Sequence, residues 1–175
     1  MNPFTPKSIL SAALFSLALG SSTSALSQNT DMETSVIQLI FNQAPFIDIA
    51  NVGNVDIIDP NIGDPATGFD DFCVGGTFGA YAITFTNPMG STFTLMSSNS
   101  TPDIPYNVTF FNTIGGTGQT VTPGAQIPGN PVLDTMCDPT VLNTRFVVEI
   151  PFSIWNGRQN DGPFTGMLEL MVQGQ

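Results

Sequence analysis

The sequence predicts an all-β protein, built as a sandwich or a barrel of short strands. Across residues 28–175, glycine, proline, asparagine and threonine interrupt every apolar run before it reaches three helical turns. Short runs rich in valine, isoleucine, phenylalanine, tyrosine and threonine recur instead between turn-forming residues. The predicted strands are residues 35–41, 46–58 with a break at 51–54, 80–86, 92–97, 106–111, 145–150 and 167–172.

The first 27 residues predict a secretory signal peptide. Lys7 precedes an apolar run over residues 9–20, and small or polar residues follow that run. A transmembrane helix needs about 20 apolar residues, which is more than this run supplies before serines dilute it. We therefore expect export, cleavage after Ser27 or alternatively after Ala25, and no membrane span in the mature chain.

Composition excludes several classes of function. The chain has 175 residues, and 3 basic against 14 acidic residues give a net charge of −11, with no histidine. Removal of Lys7 with the signal peptide leaves two arginines and a net charge of −12. So few cations exclude a nucleic-acid-binding protein. Because histidine is absent, and lysine is absent from the mature chain, we expect no enzyme activity, no metal and no cofactor.

The two cysteines, Cys73 and Cys137, predict one disulfide bond. An exported protein folds in an oxidising compartment, where an even pair of cysteines most simply pairs. Two reactive or metal-binding thiols are the alternative, but a metal site favours Cys-x-x-Cys spacing or a histidine partner. Neither is present in this sequence.

The two ends of the mature chain carry different strand patterns. The last run alternates, so that Phe164, Leu168, Leu170 and Val172 share one face. The N-terminal run is apolar on both faces, with Met32, Thr34, Val36, Gln38 and Ile40 on one and Ser35, Ile37, Leu39 and Phe41 on the other. Such a run is either the first strand of its own sandwich or a strand added to a neighbouring subunit.

Ordered segments over nearly all of residues 28–175 carry a resemblance to a known family. These segments are the N-terminal run ending at Phe41, residues 46–49, 55–57, 70–74, 79–85, 104–108 and 121–124, Cys137, and residues 147–150 and 162–170. In their order and spacing, and with the signal peptide, they resemble structural pilins of bacterial chaperone-usher pili of the archaic or alternative type.

The resemblance implies an all-β, incomplete immunoglobulin-like β-sandwich that is completed by a donated N-terminal strand. It divides the chain into a signal peptide (1–27), a donor strand (28–42) and a pilin domain (43–175). The implied donor-strand residues are Met32, Thr34, Val36, Ile37, Leu39, Ile40 and Phe41. The implied acceptor groove is formed by Ile47, Ile49, Phe164, Leu168, Leu170 and Val172.

The resemblance also implies a function, partners and a location. The protein would be a pilus subunit that polymerises by donor-strand exchange, for adhesion or biofilm formation. Its partners would be identical or related pilin subunits, with a periplasmic chaperone and an outer-membrane usher during assembly. It would pass through the periplasm to an extracellular fibre at the cell surface.

Three other groups of residues carry alternative interpretations. Asp56, Asp59, Asp64, Asp70 and Asp71, with Asn61 among them, could supply oxygen ligands to calcium or could form a solvated acidic loop. Trp155, Asn156 and Arg158 could form a sugar-binding platform, or the tryptophan could pack at the edge of the core. Glu149 with an aspartate could form a carboxylate pair for hydrolysis. The alternative function is a self-contained secreted β-sandwich that binds carbohydrate or calcium as an adhesin module.

Overall fold

The computed structural model describes residues 44–58, 60–97, 102–138, 140–158 and 160–175. The predicted signal peptide lies outside this described part of the chain, as do all of the predicted donor-strand residues. Those assignments therefore stay predictions.

Eleven strands and one short helix make up the described part. The strands are β1 (Ile47–Ala50), β2 (Ala66–Gly76), β3 (Ala80–Thr86), β4 (Thr94–Ser97), β5 (Ile104–Pro105), β6 (Asn107–Phe111), β7 (Gln119–Thr120), β8 (Gln126–Pro131), β9 (Thr144–Ile150), β10 (Phe164–Thr165) and β11 (Glu169–Gly174). The helix α1 is a single turn over Phe152–Trp155. The all-β prediction is confirmed.

The strands pair antiparallel in three sheets. The largest has the order β1-β2-β9-β6-β7, the second has the order β11-β3-β8, and the third has the order β10-β4-β5. Strand β11 pairs with β3 from Glu169 opposite Thr86 to Gly174 opposite Tyr81. Within the described residues, β1 therefore lies at one edge of the first sheet and β11 lies at one edge of the second.

Aromatic rings join the first two sheets face to face. The ring of Phe85 on β3 lies 5.7 Å from that of Phe110 on β6 and 6.0 Å from that of Phe146 on β9. All three side chains are buried. Strand β9 alternates between buried and more exposed positions, as expected when one face of a strand covers a core. The two sheets form a β-sandwich, and this fold class was predicted.

The longest strand, β2, contains Asp70 and Asp71, for which the sequence left open a calcium site or a solvated acidic loop. Tertiary contacts explain this difference. Asp71 pairs with Arg145 on the neighbouring strand, with Nε–Oδ1 2.6 Å and Nη2–Oδ2 2.8 Å. Asp70 accepts a hydrogen bond from the backbone N–H of Gly53 at 2.8 Å. Both carboxylates thus have partners that a reading of the local sequence could not supply.

The strand predicted over residues 46–58 with a break at 51–54 keeps only the part before that break, which is β1, and does not resume over residues 55–58. Ladder pairing stops at Ala50, and Asn51 adopts a positive φ of 63°. That conformation is uncommon for a residue with a side chain and interrupts the extended backbone. Residues beyond it still follow β2, because a Cβ on Gly68 would lie 2.5 Å from Val55 Cγ1 and 2.9 Å from Ile57 Cγ1. These two side chains occupy the space above Gly68 without forming a ladder.

The predicted disulfide joins Cys73 on β2 to Cys137, with Cα atoms 5.6 Å apart. Nearby, the backbone N–H of Gly76 donates to the carbonyl of Asp134 at 3.0 Å. A Cβ on Gly75 would lie 2.8 Å from the backbone nitrogen of Cys137, so glycine permits this close approach. The disulfide therefore holds the segment before β9 against the end of β2.

Candidate binding groove

A groove of about 980 Å³ opens one side of the sandwich. We call it the open groove. It lies between two stretches of chain, residues 52–58 with Pro60 and Ile62 on one side and residues 162–168 with Leu170 on the other. The remaining lining residues are Ala66, Leu95, Ile104, Tyr106, Phe146, Val148, Ile150, Trp155 and Arg158.

The floor of the open groove is the core itself. Phe146, Val148 and Ile150 are successive inward-facing residues of β9, and each is buried. Tyr106 lies beside them, stacked on the ring of Phe93 with ring centroids 5.5 Å apart. Burial raises the pKa of the Tyr106 phenol, so the floor carries no charge near neutral pH.

The walls of the open groove are apolar and partly open to solvent. Val55 and Ile57 are half-buried on one side, and Phe164, Leu168 and Leu170 are half-buried on the other. Ile58 is 79% exposed and Ile62 is 84% exposed. Large exposed apolar surfaces of this kind mark sites where another apolar group binds.

Both neighbouring sheet edges are available for pairing within the described residues. Strands β1 and β11 each have a ladder partner on one side only, and the two strands contact each other. Along β11, Leu170 and Val172 face inward while Glu169, Met171 and Gln173 face outward. An edge strand presents unpaired backbone N–H and C=O groups, which is the arrangement that strand addition uses.

Three of the six predicted groove residues line the open groove, and the other three do not. Phe164, Leu168 and Leu170 line the open groove. Ile47, Ile49 and Val172 are half-buried, pack against the hydrophobic core and lie outside the groove lining.

Sequence reasoning missed Val55, Ile57, Ile58 and Ile62 as groove residues. The apolar spacing of Val55, Ile57 and Ile58 was a usable signal, but it was interpreted as the part of a strand that follows the break at 51–54. Ile62 lay outside every predicted strand. Only the turn at Asn51 and the contacts above Gly68 place these side chains along the groove.

The candidate sugar platform is already engaged in contacts within the chain. Trp155 is buried, its Nε1–H donates to the carbonyl of Asp64 at 3.2 Å, and its ring packs edge-on against Phe152. Arg158 Nε donates to Asp161 Oδ2 at 2.6 Å, and its guanidinium lies 5.2 Å from the ring centre of Phe164. Trp155 and Arg158 both line the open groove.

Two of the acidic residues of the candidate calcium site already bind other groups of the chain. Asp71 pairs with Arg145, Asp70 binds the N–H of Gly53, and Asp59 lies outside the described residues. Glu149 is exposed and lies on the outward face of β9. In the part of the chain that the structure describes, no group of three or more histidine, cysteine or acidic side chains is arranged to hold a metal ion.

Two packed antiparallel sheets with an apolar groove at their edge define a β-sandwich whose core is accessible from one side. A similar fold occurs in a solved structure of a chaperone-tip adhesin complex that is vital for synergistic activation of CFA/I fimbriae biogenesis. The match has a TM-score of 0.53 and 19% identity, and it covers 74% of this chain. This chain spans 41% of the length of that chain, and at this identity the likeness shows the fold.

No protein-family model matches the chain, and no curated protein matches it. Among the described residues, no helix is both long enough and apolar enough to cross a membrane.

Proposed function

We propose that this protein is a non-enzymatic structural subunit of an extracellular fibre, assembled by donor-strand exchange in a chaperone-usher pathway. The open groove is the observation that carries the proposal. In the fibre, it would be occupied by an N-terminal strand from a neighbouring subunit. A periplasmic chaperone and an usher would handle the subunit during assembly, and the finished fibre would serve adhesion or biofilm formation.

The chemistry of the open groove supports an apolar strand as its occupant. Its charged lining residues are Asp56 and Arg158, and Arg158 already has an acidic partner. Within the described residues, β11 is an edge strand whose Leu170 lines the groove, so it offers backbone hydrogen-bonding groups along the direction of a strand. The fold likeness to a chain from a fimbrial complex agrees with this interpretation.

The N-terminal run supplies a suitable donor, and its two faces are not equivalent. One face places Gln38 between Val36 and Ile40, so burying that face would desolvate an amide. The other face presents Ile37, Leu39 and Phe41 in succession. We therefore propose that this second face enters the open groove of the next subunit.

Burial of the donor side chains supplies the driving force for assembly. Each large apolar side chain contributes about 1.5–3 kcal/mol when it is removed from water. The three on the proposed face, Ile37, Leu39 and Phe41, contribute about 4.5–9 kcal/mol before the costs of ordering the strand. Coverage of Ile58 and Ile62 in the groove wall adds to this gain.

A truncation tests the proposal most directly. Deletion of residues 28–41 should leave a subunit that is exported but does not form fibres, as judged by electron microscopy and by detergent-resistant polymers on gels. The proposal would be wrong if the truncated chain still assembled. The alternative secreted sandwich predicts a monomer of the mature mass that folds without a chaperone, which size-exclusion chromatography would reveal.

Matched substitutions separate a groove defect from a folding defect. Leu170→Asp places a charge in the groove wall, whereas Met171→Asp places the same charge on the outward face of the same strand. We expect fibres from the second variant and not from the first. Leu39→Asp changes only the donor, so it should block assembly without changing stability of the domain. Normal fibres from Leu39→Asp would contradict the proposed donor face.

A further inference from the structure

Every methionine in the described part of the chain is exposed to solvent. Methionine is ordinarily among the residues that are most often buried. Here the exposed fractions range from 38% at Met96 to 68% at Met136, and the others are Met89, Met167 and Met171. The hydrophobic core contains phenylalanine, isoleucine, valine, alanine, tyrosine and tryptophan, and none of these five methionines belongs to it.

The other readily oxidised side chains are protected. The sequence has one tryptophan, two tyrosines, two cysteines and no histidine. Trp155, Tyr81 and Tyr106 are each at most 7% exposed, and Cys73 and Cys137 form the disulfide. Oxidants that approach the described surface therefore meet thioether sulfur more readily than the indole, the two phenols or the buried sulfur of Cys73.

We propose that the exposed methionines form a reversible sink for two-electron oxidants such as hypochlorous acid or a peroxide. With hypochlorous acid, the thioether sulfur loses two electrons and gains one oxygen atom as a sulfoxide. The oxidant is reduced to chloride, and one proton is released. Each methionine thus consumes one oxidant molecule. Methionine sulfoxide reductases reverse the oxidation with two electrons from a thiol reductant and two protons, and the oxygen leaves as water.

The placement of these residues explains why oxidation would leave the fold intact. A sulfoxide is polar and disrupts a core when the methionine is buried, but an exposed sulfoxide remains in water. Met89 lies in the turn after β3, and Met96 and Met171 are exposed on strands β4 and β11. Met136 immediately precedes Cys137 of the disulfide and is 68% exposed.

The test is a titration of the mature, disulfide-bonded protein with hypochlorous acid, followed by peptide mass spectrometry. We expect one additional oxygen per oxidant molecule on the methionines, with Trp155, Tyr81 and Tyr106 unmodified. The thermal unfolding midpoint should stay unchanged, and methionine sulfoxide reductases should remove the added oxygen. Oxidation of the aromatic residues at the same dose, or loss of the unfolding transition, would overturn the proposal.

Two variants make the test specific to exposure. Ile83→Met introduces a thioether at a fully buried core position with little change in volume. In the native protein, we expect that thioether to oxidise at least tenfold more slowly than Met89, and equal rates would contradict the proposal. In a variant with all five exposed methionines changed to leucine, the aromatic residues and the disulfide should be oxidised at a lower oxidant dose than in the unchanged protein. An unchanged dose would show that the methionines protect nothing.

Discussion

A single added methyl group at Gly68 should displace one wall of the open groove. A Cβ at this position would lie 2.5 Å from Val55 Cγ1 and 2.9 Å from Ile57 Cγ1. Valine is stiff at χ1, so its side chain cannot rotate away cheaply, and the segment must shift. Extra methyl groups in packed regions cost about 1–3 kcal/mol. We therefore expect Gly68→Ala to be destabilised by about that amount.

Thermal and urea unfolding of the mature protein would measure the effect. For a domain of this size, each kcal/mol lowers the unfolding midpoint by about 2–4 °C. Gly79→Ala is the matched control, because a Cβ there meets nothing within 4 Å and both changes reduce the entropy of the unfolded chain equally. Gly68→Ala combined with Val55→Ala should recover part of the lost stability. If Gly68→Ala were as stable as Gly79→Ala, the packing of Val55 on β2 would be refuted.

Three further outcomes are expected. Burial raises the pKa of the Tyr81 phenol above its usual range, with a hydrogen bond from Thr144 opposing the shift, so the phenol loses its proton at a lower pH in the unfolded chain than in the folded protein. The free energy of unfolding should therefore fall as pH rises above about 10. Urea unfolding at pH 8–11 should show a smaller fall for Tyr81→Phe than for the unchanged protein. Changing Cys73 and Cys137 to alanine should lower the free energy of unfolding by about 4 kcal/mol, because the disulfide closes a loop with a sequence separation of 64. Denaturant unfolding measures this, and an unchanged free energy would refute a structural role for the bond. Met167 lines the open groove and Met89 does not. In assembled fibres we therefore expect peroxide to oxidise Met167 more slowly than Met89, and equal rates would argue against an occupied groove.

The clearest successes of sequence reasoning concern regular strands. Strand β3 and strand β9 combine apolar alternation with flanking turn residues, and both appear close to their predicted bounds. Strand β11 also alternates as predicted, with Leu170 and Val172 facing inward. In these segments, local propensity and the final packing favour the same conformation.

The failures occur where contacts distant in sequence determine the conformation. Strand β2 contains two adjacent aspartates and several glycines, and its pairing depends on Arg145 and on residues before it in the chain. Strands β7 and β8 lie where the sequence predicted no strand, because glycine, proline and polar residues dominate there. Their partners on β6 and β3 make these segments extended.

The sequence likewise predicted some residues of the candidate site and missed others. The resemblance implied that Phe164, Leu168 and Leu170 line a groove, and alternation places them on one face, because a strand with one apolar face must bury it. It could not identify Val55 and Ile57, whose role depends on the turn at Asn51 and the missing side chain at Gly68. It also could not show that Trp155 and Arg158 are engaged within the chain.

The sequence by itself determined the all-β class, the pairing of the only two cysteines and the inward face of the last strand. Each of these follows from composition or from a period of two along the chain, which are local properties. Tertiary structure alone decided the order of the strands, the position of the groove and which acidic residues have partners. Those features depend on side chains far apart in sequence that meet only when the two sheets pack together.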